Sequence, residues 1–274
     1  MQLPKRARDI SPFIVMEVLE KAQEMESQGI KIIHLEVGEP DFDVPEKVKT
    51  AADAAMRSGH THYSHSLGDP QLRKAIAHQY HKNHGVEVDH GQVIVTSGSS
   101  PAIFLTLSVL MERGNEVIIP DPGYACYPNF IKILEGIPVP VPCAEANGFQ
   151  YDIDLVRNYL TNKTAAIFLN SPSNPTGHIA SPEQMKALAD LGKYIISDEI
   201  YHGLTYGKKA HSMLEFTDNT FVINGFSKLY AMTGMRVGHV IAPKAFVRPI
   251  QKIQQNLFIC ASSVAQRAAI TALQ

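Results

Sequence analysis

The sequence predicts an α/β protein whose mostly parallel, seven-stranded sheet carries helices on both faces. From Gln92 onwards, short apolar runs of strand length alternate with segments of helix length, which is typical of crossover units. Before that point, the helical patterns each end at a glycine. The chain has 274 residues and 45% hydrophobic content, enough to bury the core of one large domain or two ordinary ones.

The N-terminal part of the chain is predicted to be an arm followed by helices. The first amphipathic helix starts at Ser11-Pro12 and stops at Gly29. Two further helical patterns are VPEKVKTAADAAMRSG and DPQLRKAIAHQYHKNHG. The histidines in the second pattern, and those in GHTHYSHS before it, are expected to be solvated because their spacing does not line one helix face.

The strands and the remaining helices alternate along the rest of the chain. The predicted strands are VIVT, EVIIP, PVPVP, AAIFLN, YIISD, TFVIN and GHVIAP. Helices are predicted over residues 102–111 and 129–134 and from SPEQMKALADLG. Residues 244–274 have one long helical pattern without a terminating glycine or proline, so we expect a chain that is cut short or incompletely covered.

Composition argues against several classes of function. A net charge of -2 gives no electrostatic reason to expect a nucleic acid or an anionic membrane as partner. The apolar runs are far shorter than a membrane span, and the basic N-terminus lacks the apolar core of a signal peptide. The 3 cysteines are widely separated and form no CxxC pair. We therefore expect a cytoplasmic protein without a bound metal.

Chemically useful residues follow the predicted strands directly. Ligands of an open parallel sheet bind beyond the carboxyl ends of its strands. Five predicted strands lead into SGSSPA, DPGY, SPSNPTG, DEIY and GFSK. In SGSSPA, small residues before a helix direct free N–H groups and the helix dipole at one point, which suits a phosphate. Ser99 and Ser100 add hydroxyl donors, and a tight turn with a serine N-cap is the alternative.

The other strand ends supply a carboxylate, an amide and two phenols. Asp198 is expected to be partly desolvated and to pair with a cation, unless it caps a helix. Tyr201 follows three residues later. Asn174 lies in a loop with two prolines and a glycine, where an ordinary turn is the alternative. Tyr124 offers an aromatic face on which a ring can stack, or is simply packed.

Together with one lysine and one arginine, these residues predict a site for pyridoxal 5′-phosphate. Lys228 would form an imine with the aldehyde, and Asp198 would keep the pyridine nitrogen protonated. Asn174 and Tyr201 would hold the phenolic oxygen, and Arg236 would bind the phosphate. We expect desolvation and neighbouring positive charge to lower the pKa of Lys228.

The motifs of nearly the whole chain resemble those of the class I/II aminotransferases of fold type I, the family of aspartate aminotransferase. They are LEVGEPDF (35–42), YSHSLGDPQLR (63–73), VTSGSSPA (95–102), PDPGYACYP (120–128), NSPSNPTG (170–177), SDEIY (197–201) and GFSKLYAMTGMRVG (225–238). The resemblance implies a pyridoxal-phosphate-dependent transferase. Such an enzyme exchanges an amino group between an L-amino acid and a 2-oxo acid in a ping-pong reaction.

The resemblance also implies roles for individual catalytic and substrate residues. Lys228 matches the Schiff-base lysine, which after release acts as a general base. Asp198 matches the partner of the pyridinium nitrogen, and Tyr201 matches the residue on the phenolic oxygen. Gly38 lies in the loop that covers the substrate carboxylate, and Asn174 is expected at the substrate as well as at the cofactor.

Further residues match the family's phosphate-binding positions: Ser99, Ser100, Ser227 and Arg236. Tyr63 matches a tyrosine that reaches the phosphate of the neighbouring subunit. The resemblance therefore implies a homodimer with shared active sites.

The resemblance divides the chain into two parts. Residues 1–45 would form an N-terminal arm and a helix that belong to a small domain. Residues 46–274 would form the large cofactor-binding domain and end within the helix that leads to the small domain. The C-terminal small domain, with the arginine that binds the substrate's α-carboxylate, is expected to be missing or truncated.

Two other functions remain compatible with these motifs. A C–S β-lyase uses the same scaffold, and the motifs fix the cofactor rather than the fate of the carbanion. A non-catalytic sensor domain that binds pyridoxal phosphate is disfavoured, because sensors of this kind carry a DNA-binding domain ahead of the fold.

Overall fold

The structure is a computed structural model that describes residues 3–274. Its centre is one 7-stranded sheet with the strand order β1-β7-β6-β5-β4-β2-β3. The strands are β1 (Val93–Thr96), β2 (Glu116–Asp121), β3 (Ile137–Pro142), β4 (Thr164–Asn170), β5 (Tyr194–Asp198), β6 (Thr220–Gly225) and β7 (Gly238–Ile241). All pairs are parallel except β1–β7 and β6–β7. The predicted mostly parallel, seven-stranded sheet is confirmed.

The helices cover both faces of this sheet, as predicted. They are α1 (Lys5–Asp9), α2 (Ile14–Ser27), α3 (Glu46–Arg57), α4 (Pro70–His84), α5 (Ser99–Leu110), α6 (Tyr127–Ile133), α7 (Ile153–Tyr159), α8 (Pro182–Ala189), α9 (Lys244–Leu257) and α10 (Ser263–Ala272). Within residues 3–274, no helix combines the length and the apolar composition that crossing a membrane requires.

Side chains along each strand point alternately to the two faces of the sheet, and each face has its own hydrophobic core. Ile196 and Phe168 point to the face that α5, α6 and α9 cover. Ile195 and Ile167 point to the opposite face, against α7 and α8. On that second face α4 and α10 pack against β1, β6 and β7. Because side chains of a strand alternate between faces, consecutive residues at a strand end are presented to different cores.

Local capping explains where α4 begins and ends. The Asp69 side chain accepts a hydrogen bond from the N–H of Gln71 at 2.8 Å, and Pro70 occupies the first helical position. Gly85 ends the helix in the left-handed conformation, with φ 71°. The predicted helix DPQLRKAIAHQYHKNHG is therefore confirmed.

Two details of the helical prediction are wrong. The long C-terminal pattern is two helices, because Ile259 adopts φ 63° and the Ser262 side chain starts α10 by accepting from Ala265 N–H. Helices α1, within the predicted arm, and α7 were not predicted. The signal for α7 is the cap residue Asp152, which accepts hydrogen bonds from the N–H groups of Asp154 and Leu155.

Candidate active site

The carboxylate of Asp198 lies at the end of β5 and is only 5% exposed. The hydroxyl of Tyr127 on α6 donates to its Oδ2 at 2.7 Å, and the N–H of Ile200 donates to Oδ1 at 3.2 Å. Burial raises the pKa of Asp198 to about 6, although both hydrogen bonds act in the opposite direction. The residue is therefore a buried acid that any nearby cation would stabilise in its charged form.

Tyr127 is a site residue that the sequence analysis missed. Its ring stacks on Phe168 with centroids 4.2 Å apart, which fixes the hydroxyl against Asp198. Tyr124 packs edge-on against Tyr127 at 5.2 Å. Burial raises the pKa of Tyr124, so its hydroxyl stays neutral. The signal for Tyr127 was its place in PDPGYACYP, three residues after Tyr124.

Asn174 and Tyr201 contact each other directly beside this acid. Asn174 Nδ2 donates to the Tyr201 hydroxyl at 3.2 Å. The N–H of Asn174 donates to Asn170 Oδ1 at 2.6 Å, and Asn170 Nδ2 donates to the Asp198 carbonyl at 2.9 Å. Burial and then the charge of Asp198 raise the pKa of Tyr201. The structure thus joins the loop after β4 to the turn after β5.

Lys228 follows β6, next to the loop at the start of the chain. Its Nζ donates to the carbonyl of Gly38. Burial lowers the pKa of Lys228, the Glu39 carboxylate opposes this, and Arg236 acts in the same direction as burial. The predicted shift of Lys228 is confirmed in direction. Thr233 donates its hydroxyl to Glu39, which fastens the same loop over this segment.

Arg236 lies against the N-terminus of α5. The residue adopts φ 53° and donates from Nη1 to the Thr233 carbonyl at 3.0 Å. A Cβ on Gly98 would lie 2.5 Å from Arg236 Nη2, and a Cβ on Gly238 would lie 2.7 Å from the Ser99 nitrogen. Because neither glycine has a side chain, the Arg236 guanidinium can lie close to the first residues of α5, a helix of 12 residues. Such an arrangement suits an anion.

The sheet places the segments that carry these residues side by side, at the carboxyl ends of neighbouring strands. Asp198 pairs with Ile223 of β6 and with Asn170 of β4. A Cβ on Gly203 would lie 2.7 Å from the Leu229 side chain, so the turn after β5 touches the loop that bears the lysine. The expected strand-end residues are therefore carried by adjacent segments, with Ser99 and Ser100 half-buried and Ser227 buried.

Tyr63 is the predicted residue that stays apart. It is 80% exposed and lines a separate depression with Ser64 and Arg267. Of the histidines expected to be solvated, His84 is also an exception. Its side chain is 8% exposed, and its Nδ1 lies 3.1 Å from the Glu215 carboxylate.

Comparison with known proteins agrees with the fold and identifies the family. The family model of aminotransferase class I and II matches residues 30–274. The chain is 42% identical over 275 residues to the (5-formylfuran-3-yl)methyl phosphate transaminase of Methanocaldococcus jannaschii, covering 99% of this chain and 72% of that protein. It is 37% identical over 281 residues to the aspartate aminotransferase of Geobacillus stearothermophilus, with 99% and 72% covered. A structure of Thermus thermophilus aspartate aminotransferase with maleate superposes with a TM-score of 0.96 at 34% identity, covering 100% of this chain and 73% of that one.

Proposed function

The chain belongs to the class I and II aminotransferase family, and we propose that the strand-end residues described above form its catalytic site. It is a pyridoxal-phosphate-dependent aminotransferase, which exchanges an amino group between an amino acid and a 2-oxo acid. The buried Asp198, with its pKa of about 6 and its Tyr127 hydrogen bond, is the observation that carries the assignment of the site. When bound, pyridoxal 5′-phosphate supplies an electron-accepting ring for the negative charge that develops on the substrate's α-carbon.

The residues present fit this cofactor at its phosphate end. Arg236 and the N-terminus of α5 provide a cation and free N–H groups at one place, which Gly98 leaves open. Ser99, Ser100 and Ser227 add hydroxyl donors from the same two segments. These residues would hold the phosphate.

The residues also fit the ring end of the cofactor. Asp198 would accept the proton of the pyridinium nitrogen in a hydrogen bond, and its burial makes the pairing strong because water competes little there. Asn174 and Tyr201 are already joined by a hydrogen bond and would hold the phenolic oxygen. Tyr124 would stack on the ring.

Lys228 would bind the cofactor covalently and, once released, move a proton. Its lowered pKa increases the share of neutral amine, whose Nζ accepts the proton of the substrate's Cα. Gly38 contacts this amine through its carbonyl and, with Asn174, would line the substrate side. Tyr201 would donate from its hydroxyl, since its raised pKa keeps the proton in place.

We extend the proposal to assembly, domains and location. A homodimer with shared sites is supported by the exposure of Tyr63, which is free to reach a second copy. Residues 1–45 would contribute to a small domain and residues 46–274 form the cofactor domain. Free cysteines at all 3 positions suit the cytoplasm.

The test is cofactor uptake and its chemical location. The protein is mixed with pyridoxal 5′-phosphate, reduced with borohydride and digested, and the modified peptide is identified by mass spectrometry. We expect one label, on Lys228, and a visible absorption band before reduction. Lys228→Ala should lose amino transfer by about 10²- to 10⁴-fold or more, while the exposed Lys186→Ala should not. Labelling of another lysine, or none, would contradict the proposal.

A further inference from the structure

A second buried carboxylate follows Asp198 directly. Glu199 is 1% exposed and points to the opposite face of the sheet, the face of α4. Its Oε1 accepts three hydrogen bonds of 3.0 Å, from the hydroxyls of Ser197 and Ser212 and from the N–H of Met213. Three donors to one oxygen hold the Glu199 carboxylate in a single position.

The second oxygen of Glu199 starts a chain of hydrogen bonds that ends near the catalytic lysine. The Tyr80 hydroxyl on α4 donates to Glu199 Oε2 at 3.3 Å. Asn224 Nδ2 donates to the same hydroxyl at 3.2 Å, and Asn224 Oδ1 accepts from the N–H of Gly225 at 2.7 Å. Lys228 follows Asn224 by four residues. The chain therefore links the end of β5 to the loop that begins at the end of β6.

The direction of this chain is set by burial. Burial strongly raises the pKa of Tyr80, so its hydroxyl keeps its proton and donates it to the ionised form of Glu199, whose own pKa burial raises to about 7. The hydroxyl oxygen is then free to accept from Asn224. The Tyr80 ring is 5% exposed, packs against His84 and His239, and lines a cavity together with Asn224. A buried hydroxyl or carboxylate that loses its hydrogen-bond partner costs free energy, so these bonds hold the groups in place.

Backbone contacts connect the same two strand ends to the site. The N–H of Glu199 donates to the Ile223 carbonyl at 2.8 Å, and the N–H of His202 donates to the Glu199 carbonyl at 2.9 Å. The second contact closes the turn that carries Tyr201. His202 Nδ1 also lies 3.4 Å from Glu199 Oε2. Glu199 is thus connected to the segments of both Tyr201 and Lys228 without pointing towards either.

We propose that Glu199, Tyr80 and Asn224 are positioning residues for amino transfer, holding the Lys228 loop in register with the Asp198–Tyr201 turn from behind the sheet. The inference rests on the proposed function of Lys228 and Asp198. None of these three side chains needs to contact substrate or cofactor. Their effect is geometric, because small misplacements of a reacting group cost large factors in rate.

The decisive variant is Tyr80→Phe, with Tyr151→Phe as its matched control. Both tyrosines are 5% exposed, and the Tyr151 hydroxyl donates one buried hydrogen bond, to the Phe168 carbonyl at 2.9 Å. Each substitution removes only a hydroxyl. We expect similar losses of unfolding midpoint in urea for both, whereas only Tyr80→Phe lowers kcat, by about tenfold, with less change in KM.

A second readout does not use turnover. The rate at which Lys228 captures added pyridoxal 5′-phosphate, followed by the visible band and fixed with borohydride, should fall in Tyr80→Phe and not in Tyr151→Phe. Asn224→Ala should produce the same two effects, and the double variant with Tyr80→Phe should be little worse than either single one. Additive losses, or equal behaviour of the two tyrosine variants, would overturn the inference. If instead the unaltered protein captures no cofactor, the proposed function itself fails.

Discussion

Asp198 and Glu199 are consecutive buried carboxylates whose hydrogen-bond partners lie on opposite faces of one sheet. Asp198 accepts from Tyr127 on α6, and Glu199 accepts from Tyr80 on α4. The alternation of a strand separates them, so that one acid faces the proposed cofactor site and the other faces the helices behind the sheet.

The hydrogen bond from Tyr127 should lower the pKa of Asp198 and so keep the carboxylate ionised. It lowers the pKa of Asp198 against the raising effect of burial, so Tyr127→Phe should raise that pKa further. Asp198 pairs with a cation only when ionised, so cofactor capture should weaken as the pH falls through about 6. In Tyr127→Phe this loss should begin at a higher pH. Measuring capture rates from pH 5 to 8 tests the shift, and an unchanged profile would refute it.

Gly98 should be required for binding the phosphate. Gly98→Ala places a Cβ 2.5 Å from Arg236 Nη2, so the guanidinium must move. We expect the Kd for pyridoxal 5′-phosphate to rise by about tenfold or more, the value of one charge-assisted hydrogen bond. Gly192→Ala is the control, because Gly192 also has a positive φ, 70°, but nothing lies within 4 Å of its Cβ position. Equal Kd values for the two variants, from fluorescence titration, would argue against a phosphate site at Arg236 and the N-terminus of α5.

His239 should make the folded state sensitive to acid. Both of its ring nitrogens are buried without a partner among the residues described, and burial lowers its pKa to about 3. A histidine whose folded pKa is depressed contributes stability above its unfolded pKa of 6.5, and this is lost as the pH falls towards 3. At pH 5 the loss is on the order of 2 kcal/mol relative to pH 8.

The substitution His239→Phe should remove this part of the pH dependence. Urea unfolding at pH 5 and pH 8 measures it, and the exposed His78→Gln should leave the wild-type difference in place. If His239→Phe keeps that difference in full, the buried ring is not the source.

The hydroxyl of Thr106 should destabilise the fold. It is buried in α5 and has no hydrogen-bond partner within residues 3–274. Thr106→Val is nearly isosteric and should stabilise the protein by about 1 kcal/mol. Thr220→Val is the matched control, since the Thr220 hydroxyl donates to the Ile195 carbonyl at 3.0 Å. That variant should lose about 1 kcal/mol in urea unfolding, and the same sign for both would contradict this account.

Much of the site was predictable because its residues follow strands directly. Asp198 ends one parallel strand and Lys228 follows another, so both side chains lie at the carboxyl ends of the strands, where ligands of such sheets bind. Local patterns predicted the strands themselves, since short apolar runs that alternate with helix-length segments are typical of buried strands. Similarly, the helical pattern that ends at the glycine at 85 predicted α4 from neighbouring residues alone, and the structure adds the cap at Asp69.

Other features depended on contacts between distant parts of the chain. The sequence does not state that Tyr127 meets Asp198, 71 residues later, or that Tyr80 meets Glu199, 119 residues later. Nor does the pattern of residues 244–274 disclose the break at Ile259, whose positive φ only its surroundings make tolerable. The burial of His84, the last residue of α4, against Glu215 also depends on such a contact.

The sequence by itself determined the α/β class, the seven strands and the candidate site residues at their ends, because these follow from local periodicity and from the chemistry of short motifs. Tertiary structure alone decided which distant side chains contact the two neighbouring acids, Tyr127 for Asp198 and Tyr80 for Glu199. Strand order and helix packing choose the partners of each carboxylate, and those partners set its burial, its hydrogen bonds and hence its pKa.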